Sequence, residues 1–239
     1  PFNADAVVNH VMRMVDENTN VGALTLWNPV KEAVKIDDFT VRISTHTPYG
    51  GLLNVLAHGS GLIPSPTAVK TFGKDIGFNP VGTGPYKLSS FAPGTEVVLV
   101  ANENYFGAKP AYQKITYKYV ADASARVAAL RSGEVDVIDS VSAELSSTLS
   151  KDNNVKIIDV PGLRSFGIGL SQTNSLLQIP EIRYAMNYAI DKESIVKVIF
   201  RGFAVPISSP LAPGIDGAVD AGVYAYDPQK AKNLLENIG

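Results

Sequence analysis

The feature that most constrains the fold is the stretch Lys114–Asp139, in which a helical pattern separates two short runs of strand-forming residues. Ile115–Tyr119 is rich in β-branched and aromatic residues, as strands are. Ser124–Arg131 carries apolar residues at helical spacing, and Gly133 follows it as a typical helix terminator. Val135–Ile138 has the composition of a second strand. A strand, a helix and a strand in this order predict a βαβ unit, whose two strands lie parallel in one sheet.

Polar residues directly follow the second predicted strand. Asp139 and Ser140 come immediately after it, and Ser142 lies two residues further along the chain. In open α/β sheets, ligands bind beyond the carboxyl ends of the strands, which is the edge where these residues fall. We therefore predict that Asp139 and Ser140 border a ligand-binding cleft.

The rest of the chain alternates short helices and strands, which predicts a mixed α/β (α+β) fold class. Helical stretches show apolar residues every three or four positions behind a capping residue or a proline, and strands lie between turn signals. The predicted helices are Phe2–Val15, Ser142–Ser150, Lys192–Phe200 and those that begin at Pro180 and Pro228, with Asn3 or Asp5, Asp191 and Asp227 among the expected caps. The predicted strands and extended runs are Val34–Ile43 as a hairpin, Tyr86–Leu88, Glu96–Val100, Val155–Val160 and Leu163–Leu170.

Composition argues against several classes of function. The 239 residues carry a net charge of −2, whereas a nucleic-acid-binding surface needs clustered Lys and Arg. The absence of cysteine removes thiol catalysis and zinc–thiolate sites. The three histidines lie in separate segments with no i,i+4 pair. We therefore predict no metal site and no cofactor.

The sequence motifs do not indicate an enzyme. The Gly82–Gly84 triplet is too short for a dinucleotide-binding fingerprint, and Gly59–Gly61 lacks the spacing of a nucleophile elbow. Nothing in the sequence assembles a nucleophile, a base and an oxyanion hole. We predict no catalytic residues, and two alternatives to a binding protein stay open: a hydrolase on an α/β scaffold and a structural module without a small ligand.

Five segments carry a family resemblance, and they are PFNADAVVNHVMRMVD, NPVGTGPYKLSSFAPGTEVVLVANENYF, ITYKYVADASARVAALRSGEVDVID, EIRYAMNYAIDKESIVKVIFRG and YDPQKAKNLLENIG. The second contains a Gly-Thr-Gly-Pro-Tyr run, and the third contains an R-x-G-E-x-D core. In this order the segments resemble the extracytoplasmic solute-binding proteins of the oligopeptide, dipeptide and nickel ABC importers, known as solute-binding family 5. The resemblance covers nearly the whole chain.

This resemblance implies a periplasmic-binding-protein-like lobe, with a mixed, partly parallel sheet flanked by helices. Members of the family are much longer than this chain, so the resemblance implies a truncated, incomplete two-lobe protein. A run dense in Gly and Pro before Pro85 places a boundary near Asn79. The implied parts are 1–79, the smaller subdomain of lobe I; 80–160, the main sheet of lobe I; and 161–239, the crossover and the start of lobe II. The first and third parts would be incomplete.

The implied function is capture rather than catalysis. Two lobes would close on a small solute, most simply a peptide, and present it to ABC permease subunits in the membrane. A nickel or other metal chelate, or another small solute, is the alternative ligand. The implied location is the periplasm or another extracytoplasmic space, and no nucleic-acid partner is expected.

The resemblance also places the crossover Pro161–Leu170 on the wall of the cleft. Backbone groups there would pair with an extended peptide in the manner of an added strand. Arg164 would bind a carboxylate and Phe166 would supply an apolar contact. The candidate ligand-binding residues are therefore Arg164, Ser165, Phe166, Asp139 and Ser140. Two alternatives stay open: Phe166 packs in a core, and Arg164 is a solvated surface charge.

Overall fold

The computed structural model describes residues 2–19, 24–160, 162–222 and 224–238. Contacts within the chain divide it into two compact units, Pro1–Tyr119 and Val120–Gly239. The chain combines helices with small sheets, which confirms the mixed α/β class. The predicted boundaries at residues 79 and 160 concern the lobes of the family fold and stay predictions.

The described part of the first unit contains helices and two small sheets. The α-helices are α1 (Ala4–Val15), α2 (Leu24–Trp27), α3 (Leu52–Ala57) and α4 (Pro66–Phe72), and 3-10 turns lie at Glu17–Thr19, Gly59–Gly61 and Gly73–Phe78. The strands are β1 (Val30–Lys35), β2 (Val41–Thr45), β3 (Tyr86–Ala92), β4 (Glu96–Ala101) and β5 (Lys114–Lys118). β1 pairs antiparallel with β2, and β3, β4 and β5 form an antiparallel sheet in that order.

The first helix anchors the core of this unit. Asn3 caps α1 by accepting a hydrogen bond from the Ala6 N–H at 3.2 Å. Of the two predicted caps, Asn3 and Asp5, it is therefore Asn3 that forms the cap. The apolar face of α1 buries Val11 and Met14 in a cluster with Trp27 and residues of β1 and α3. Burial of these side chains away from water is what holds the helix to the hairpin.

The predicted hairpin forms, and the strands predicted at Tyr86–Leu88 and Glu96–Val100 pair as a second hairpin. The first joins β1 to β2 through a turn at residues 37–38, inside the predicted range Val34–Ile43. The second joins β3 to β4, and its turn contains Gly94 with a φ of +71°, a backbone conformation that glycine adopts without steric cost. β4 is the central strand of its sheet because β5 pairs with its other edge.

The described part of the second unit contains helices and no strand. The helices are α5 (Ala123–Arg131), α6 (Ala143–Leu149), α7 (Ser175–Gln178), α8 (Pro180–Ala189), α9 (Lys192–Val198) and α10 (Pro228–Glu236). Asp191 caps α9 and Asp227 caps α10, each accepting a hydrogen bond from the third N–H after it, as predicted. α8 and α10 pack against each other.

The predicted βαβ unit is wrong. Its helix forms as α5, behind the cap Asp122 and ahead of Gly133, whose φ is +74°. Residues 135–138 form no strand, however, and β5 pairs only with β4, antiparallel, among the strands of the described residues. Residues 155–160, also predicted as a strand, form none either.

The two missing strands have one physical cause. A helix makes its backbone hydrogen bonds within itself, whereas a strand needs a neighbouring strand to supply them. Val137 is 82% exposed and Ile158 is 77% exposed, so neither run packs against a sheet face. The strands of the described residues are all antiparallel, and the expectation of a partly parallel sheet is wrong for them.

Candidate ligand-binding site

The predicted crossover is an irregular stretch of the chain. The crossover segment, residues 162–170, belongs to no helix or strand, and Pro161 lies outside the described residues. Within the described chain, no N–H or C=O of this segment takes part in a backbone–backbone hydrogen bond. Buried peptide groups must find a partner within the protein, whereas these exposed ones can bond to water. They are therefore free to pair with a ligand or with another strand.

Three predicted side chains lie in this segment. Phe166 is 74% exposed, and its ring centroid lies 6.3 Å from that of Phe200, so core packing does not describe its surroundings. Arg164 is exposed and has no hydrogen bond or ion pair within the described residues. The Ser165 hydroxyl donates to the Pro210 carbonyl oxygen at 2.7 Å. This bond ties the crossover segment to a loop elsewhere in the same unit.

Asp139 and Ser140 lie on a second exposed stretch of the same unit. Ser140 has a φ of +53°, in the left-handed region that a residue with a side chain rarely adopts. Its carbonyl oxygen accepts from Arg126 Nη2 at 3.2 Å, while Arg126 Nη1 donates to the carbonyls of Val120 and Ala121. The guanidinium group therefore ties the two residues ahead of α5 to the backbone of Ser140.

The structure does not gather the five predicted residues into one contact cluster. Within the described residues, no hydrogen bond, ion pair or ring contact joins Asp139 or Ser140 to the crossover segment. Their roles in ligand binding stay predictions. What the crossover segment offers is a row of free peptide groups, one guanidinium group and one exposed ring, a set suited to noncovalent binding of an extended ligand.

A second group of side chains has no counterpart in the sequence predictions. Where α8 and α10 meet, a cleft of about 320 Å³ is lined by Tyr184, Tyr188, Tyr224, Lys230 and Leu234. The local signal for it is the i,i+4 spacing of the first two tyrosines, which places both rings on one face of α8. Nothing in the local sequence links these rings to the third, which lies far along the chain.

No group of three or more His, Cys, Asp or Glu side chains among the described residues is placed to hold a metal ion. None of the described helices combines the length and the apolar character that crossing a bilayer requires.

Comparison with known proteins connects the chain to one family. The family model described as "Bacterial extracellular solute-binding proteins, family 5 Middle" matches residues 1–239. The chain is 33% identical over 239 residues to the glutathione-binding protein GsiB of Pectobacterium atrosepticum, covering 100% of this chain and 46% of that protein.

Solved structures give the same relationship. The ABC transporter-associated periplasmic binding protein DppA from Helicobacter pylori, in complex with the peptide STSA, matches with a TM-score of 0.82 at 26% identity, over 100% of this chain and 50% of that one. NikZ from Campylobacter jejuni, in complex with Ni(L-His), matches with a TM-score of 0.76 at 26% identity, over 100% and 48%. The chain spans about half the length of these relatives. The resemblance seen in the sequence is thus confirmed, and the chain belongs to family 5 of the bacterial extracellular solute-binding proteins.

Proposed function

We propose that this chain forms part of the solute-binding component of an ABC importer, which captures a peptide between two lobes and delivers it to permease subunits. The observation that carries the proposal is the crossover segment, whose backbone groups are unpaired within the described chain. Extended peptides bind proteins by adding a strand to such a free edge, where main-chain hydrogen bonds supply affinity and side chains supply selectivity. The match to family 5 along all 239 residues supports the same function.

The side chains of the crossover segment fit this mode of binding. In an extended chain, residues two apart share a face, so Arg164 and Phe166 would lie on one side and Ser165 on the other. Ser165 is the one that is fixed to the protein, through Pro210. The guanidinium group of Arg164 can then bind a ligand carboxylate through two parallel hydrogen bonds, and the exposed ring of Phe166 can cover an apolar side chain.

Asp139 and Ser140 complete the proposed site as residues that border the cleft. Their backbone is held by Arg126 through the Ser140 carbonyl oxygen. Holding a residue in the left-handed region costs conformational free energy. Residues strained in this way are concentrated where a loop must keep one shape. The Arg126 bond supports a role for this loop as a fixed wall.

Two ligand classes remain, and the relatives favour peptides. One relative is named as glutathione-binding, and one structural neighbour was solved with the peptide STSA. Peptides present the amide groups and carboxylates that a free backbone edge and Arg164 recognise. A metal chelate is the second candidate, because NikZ was solved with Ni(L-His). These relatives are named for binding, which supports capture rather than hydrolysis.

We also infer an extracytoplasmic location and a membrane permease as partner. The family is described as extracellular, and the DppA neighbour is described as periplasmic and ABC transporter-associated. No cofactor and no nucleic acid enter this proposal.

The test is titration calorimetry on the complete protein that carries this chain, with glutathione, a small panel of peptides and Ni(L-His) as ligands. Arg164→Ala should weaken peptide binding roughly thirtyfold, since a hydrogen bond to a charged group is worth about 2 kcal/mol. Phe166→Ala should weaken it about tenfold through lost apolar burial. Both side chains are exposed, so the melting temperature of the free protein should stay nearly unchanged.

Matched controls are available in the chain. Lys156→Ala removes another exposed positive charge of the same unit, and Phe39→Ala removes another exposed phenylalanine. Neither should change affinity. If no peptide binds, the peptide proposal is wrong, and tight binding of Ni(L-His) alone would favour the chelate. If peptides bind equally well to all four variants, the crossover segment is not the site.

A further inference from the structure

We propose that the tyrosine-lined cleft between α8 and α10 is a binding site for small planar aromatic carboxylates, separate from the crossover segment. It shares no residue with that segment, so this proposal does not rest on the proposed function. Three tyrosine rings form the apolar part of the cleft, and two lysine ammonium groups lie on those rings. This combination selects for both an aromatic ring and a negative charge.

The packing of two helices creates the concave shape. α8 presents Tyr184 and Tyr188 one turn apart, and α10 presents Lys230 and Leu234 at the same spacing. The chain ahead of α10 is fastened to α8 by a 2.9 Å hydrogen bond, which the Asp227 N–H donates to the Tyr188 carbonyl oxygen. The cleft is open to solvent on one side, and its volume of about 320 Å³ lies at the lower end of the range for small-molecule sites.

The tyrosine rings are arranged so that ring surface stays available. Tyr188 and Tyr224 meet edge to face, with centroids 5.2 Å apart and planes at 87°. Tyr184 and Tyr224 are 6.1 Å apart at 32°. Tyr184 remains 45% exposed and Tyr224 remains 37% exposed. Aromatic rings attract one another in offset-stacked and edge-to-face arrangements, so a planar aromatic ligand can pack here in either way.

The charges in the cleft decide whether it favours an anionic or a cationic ligand. Lys230 Nζ lies 4.1 Å from the ring centroid of Tyr188 and donates to its hydroxyl oxygen at 2.8 Å, and Lys192 Nζ lies 5.8 Å from the centroid of Tyr224. Neither lysine forms an ion pair with a carboxylate of the described residues. Asp227, whose charge also acts on Lys230, already accepts from the Lys230 N–H as a helix cap.

The ammonium groups therefore keep donors for an incoming anion. An ammonium group has three N–H donors, and one donor of Lys230 is used by the tyrosine hydroxyl. The hydrogen bond to Tyr188 raises the pKa of Lys230, so the group is fully charged at neutral pH. A carboxylate next to a ring could reach it while the ring rests on the tyrosines, whereas a cationic ligand would be repelled.

The experiment is a saturation-transfer NMR titration of the chain with benzoate. Two comparison compounds separate the two requirements: cyclohexanecarboxylate keeps the charge without the aromatic ring, and benzyl alcohol keeps the ring without the charge. Benzoate should bind about fivefold more tightly than either, the size of effect expected for one partly exposed charge contact or one aromatic contact.

Paired variants locate the binding. Lys230→Gln and Tyr224→Leu should each weaken benzoate binding about fivefold. Their controls are Lys232→Gln, on the same helix but paired with Glu236, and Tyr226→Leu, two residues from the cleft tyrosine and outside the lining. The controls should bind like the unmodified chain. Equal binding of benzoate and cyclohexanecarboxylate, or benzoate binding that survives both Lys230→Gln and Tyr224→Leu, would overturn the proposal.

Discussion

Lowering the pH should destabilise the first unit through one side chain, that of His10. The imidazole is 4% exposed and packs edge-on against Trp27, with ring centroids 5.8 Å apart. Its Nε2 lies 2.9 Å from the Ser60 carbonyl oxygen, and because a carbonyl oxygen can only accept, Nε2 carries the proton of the neutral ring. Nδ1 is buried without a hydrogen-bond partner among the described residues. A proton added there would create a buried positive charge with no acceptor.

The sign and size of the effect follow from linkage. Burial lowers the pKa of His10 below its ordinary value of 6.5, the hydrogen bond to Ser60 offsets part of this, and the charge of Arg13 lowers it further. The unfolded chain therefore takes up a proton that the folded chain resists. The stabilisation that the neutral His10 ring provides is fully present above pH 6.5. It is lost as the pH falls from 6.5 through the lowered pKa of the folded state. For one proton, the free energy of unfolding falls by at most about 1.4 kcal/mol per pH unit.

Trp27 provides the assay because it is the single tryptophan of the chain, lies in the core of the first unit and contacts His10. Urea unfolding followed by its fluorescence would be measured between about pH 8 and about pH 5 for the unmodified chain and for His10→Gln, which cannot titrate in this range. The difference in free energy of unfolding between the two should shrink as the pH falls below 6.5. His58→Gln is the control, since His58 also bonds to Ser60 but is exposed. A difference between unmodified chain and His10→Gln that is the same at every pH would refute the reasoning.

Three further predictions concern packing, a buried amide and ligand affinity. Met14→Ala should lower the free energy of unfolding of the first unit by about 2–5 kcal/mol in the same urea assay, whereas Met12→Ala on the exposed face of α1 should change it by less than about 0.5 kcal/mol. Asn102→Ala should cost about 1–3 kcal/mol, measured by thermal unfolding, because the Asn102 amide donates to the Gly84 carbonyl oxygen at 2.9 Å and accepts from the Asn104 N–H. Equal stability of this variant would show that water replaces both bonds. If a second lobe supplies about 4 kcal/mol, the chain by itself should bind peptides roughly a thousandfold more weakly than the complete protein, and equal affinity in calorimetry would place the whole site within residues 1–239.

Helix starts were the part of the fold that the sequence predicts best. Asn3, Asp191 and Asp227 each cap a helix as expected. A cap is a bond between a side chain and an N–H two or three residues later, so its signal is contained in a few consecutive residues. The β1–β2 and β3–β4 hairpins were equally accessible, because a tight turn places the pairing partners next to each other in the sequence.

The errors lie where a structure depends on distant residues. Residues 135–138 and 155–160 have the composition of strands, but composition does not say whether another strand will lie alongside. The tyrosine-lined cleft is a second example, since Tyr188 and Tyr224 come together only when α8 packs on α10. For the crossover segment, the structure shows neither helix nor strand, and both the extended backbone and the role in binding stay predictions.

The way in which the crossover segment is held matters for what it can bind. An extended chain has two hydrogen-bonding edges, because successive peptide groups point to opposite sides. Ser165 is fixed through its hydroxyl, which donates to the Pro210 carbonyl oxygen, so this anchor occupies neither edge. The segment can therefore join a sheet along one edge and hold an extended ligand along the other. A segment already paired on both edges would have no peptide groups left to offer, and recognition would then depend on side chains alone. Strand addition by a ligand requires an exposed sheet edge, which this segment would provide after joining a sheet along its other edge.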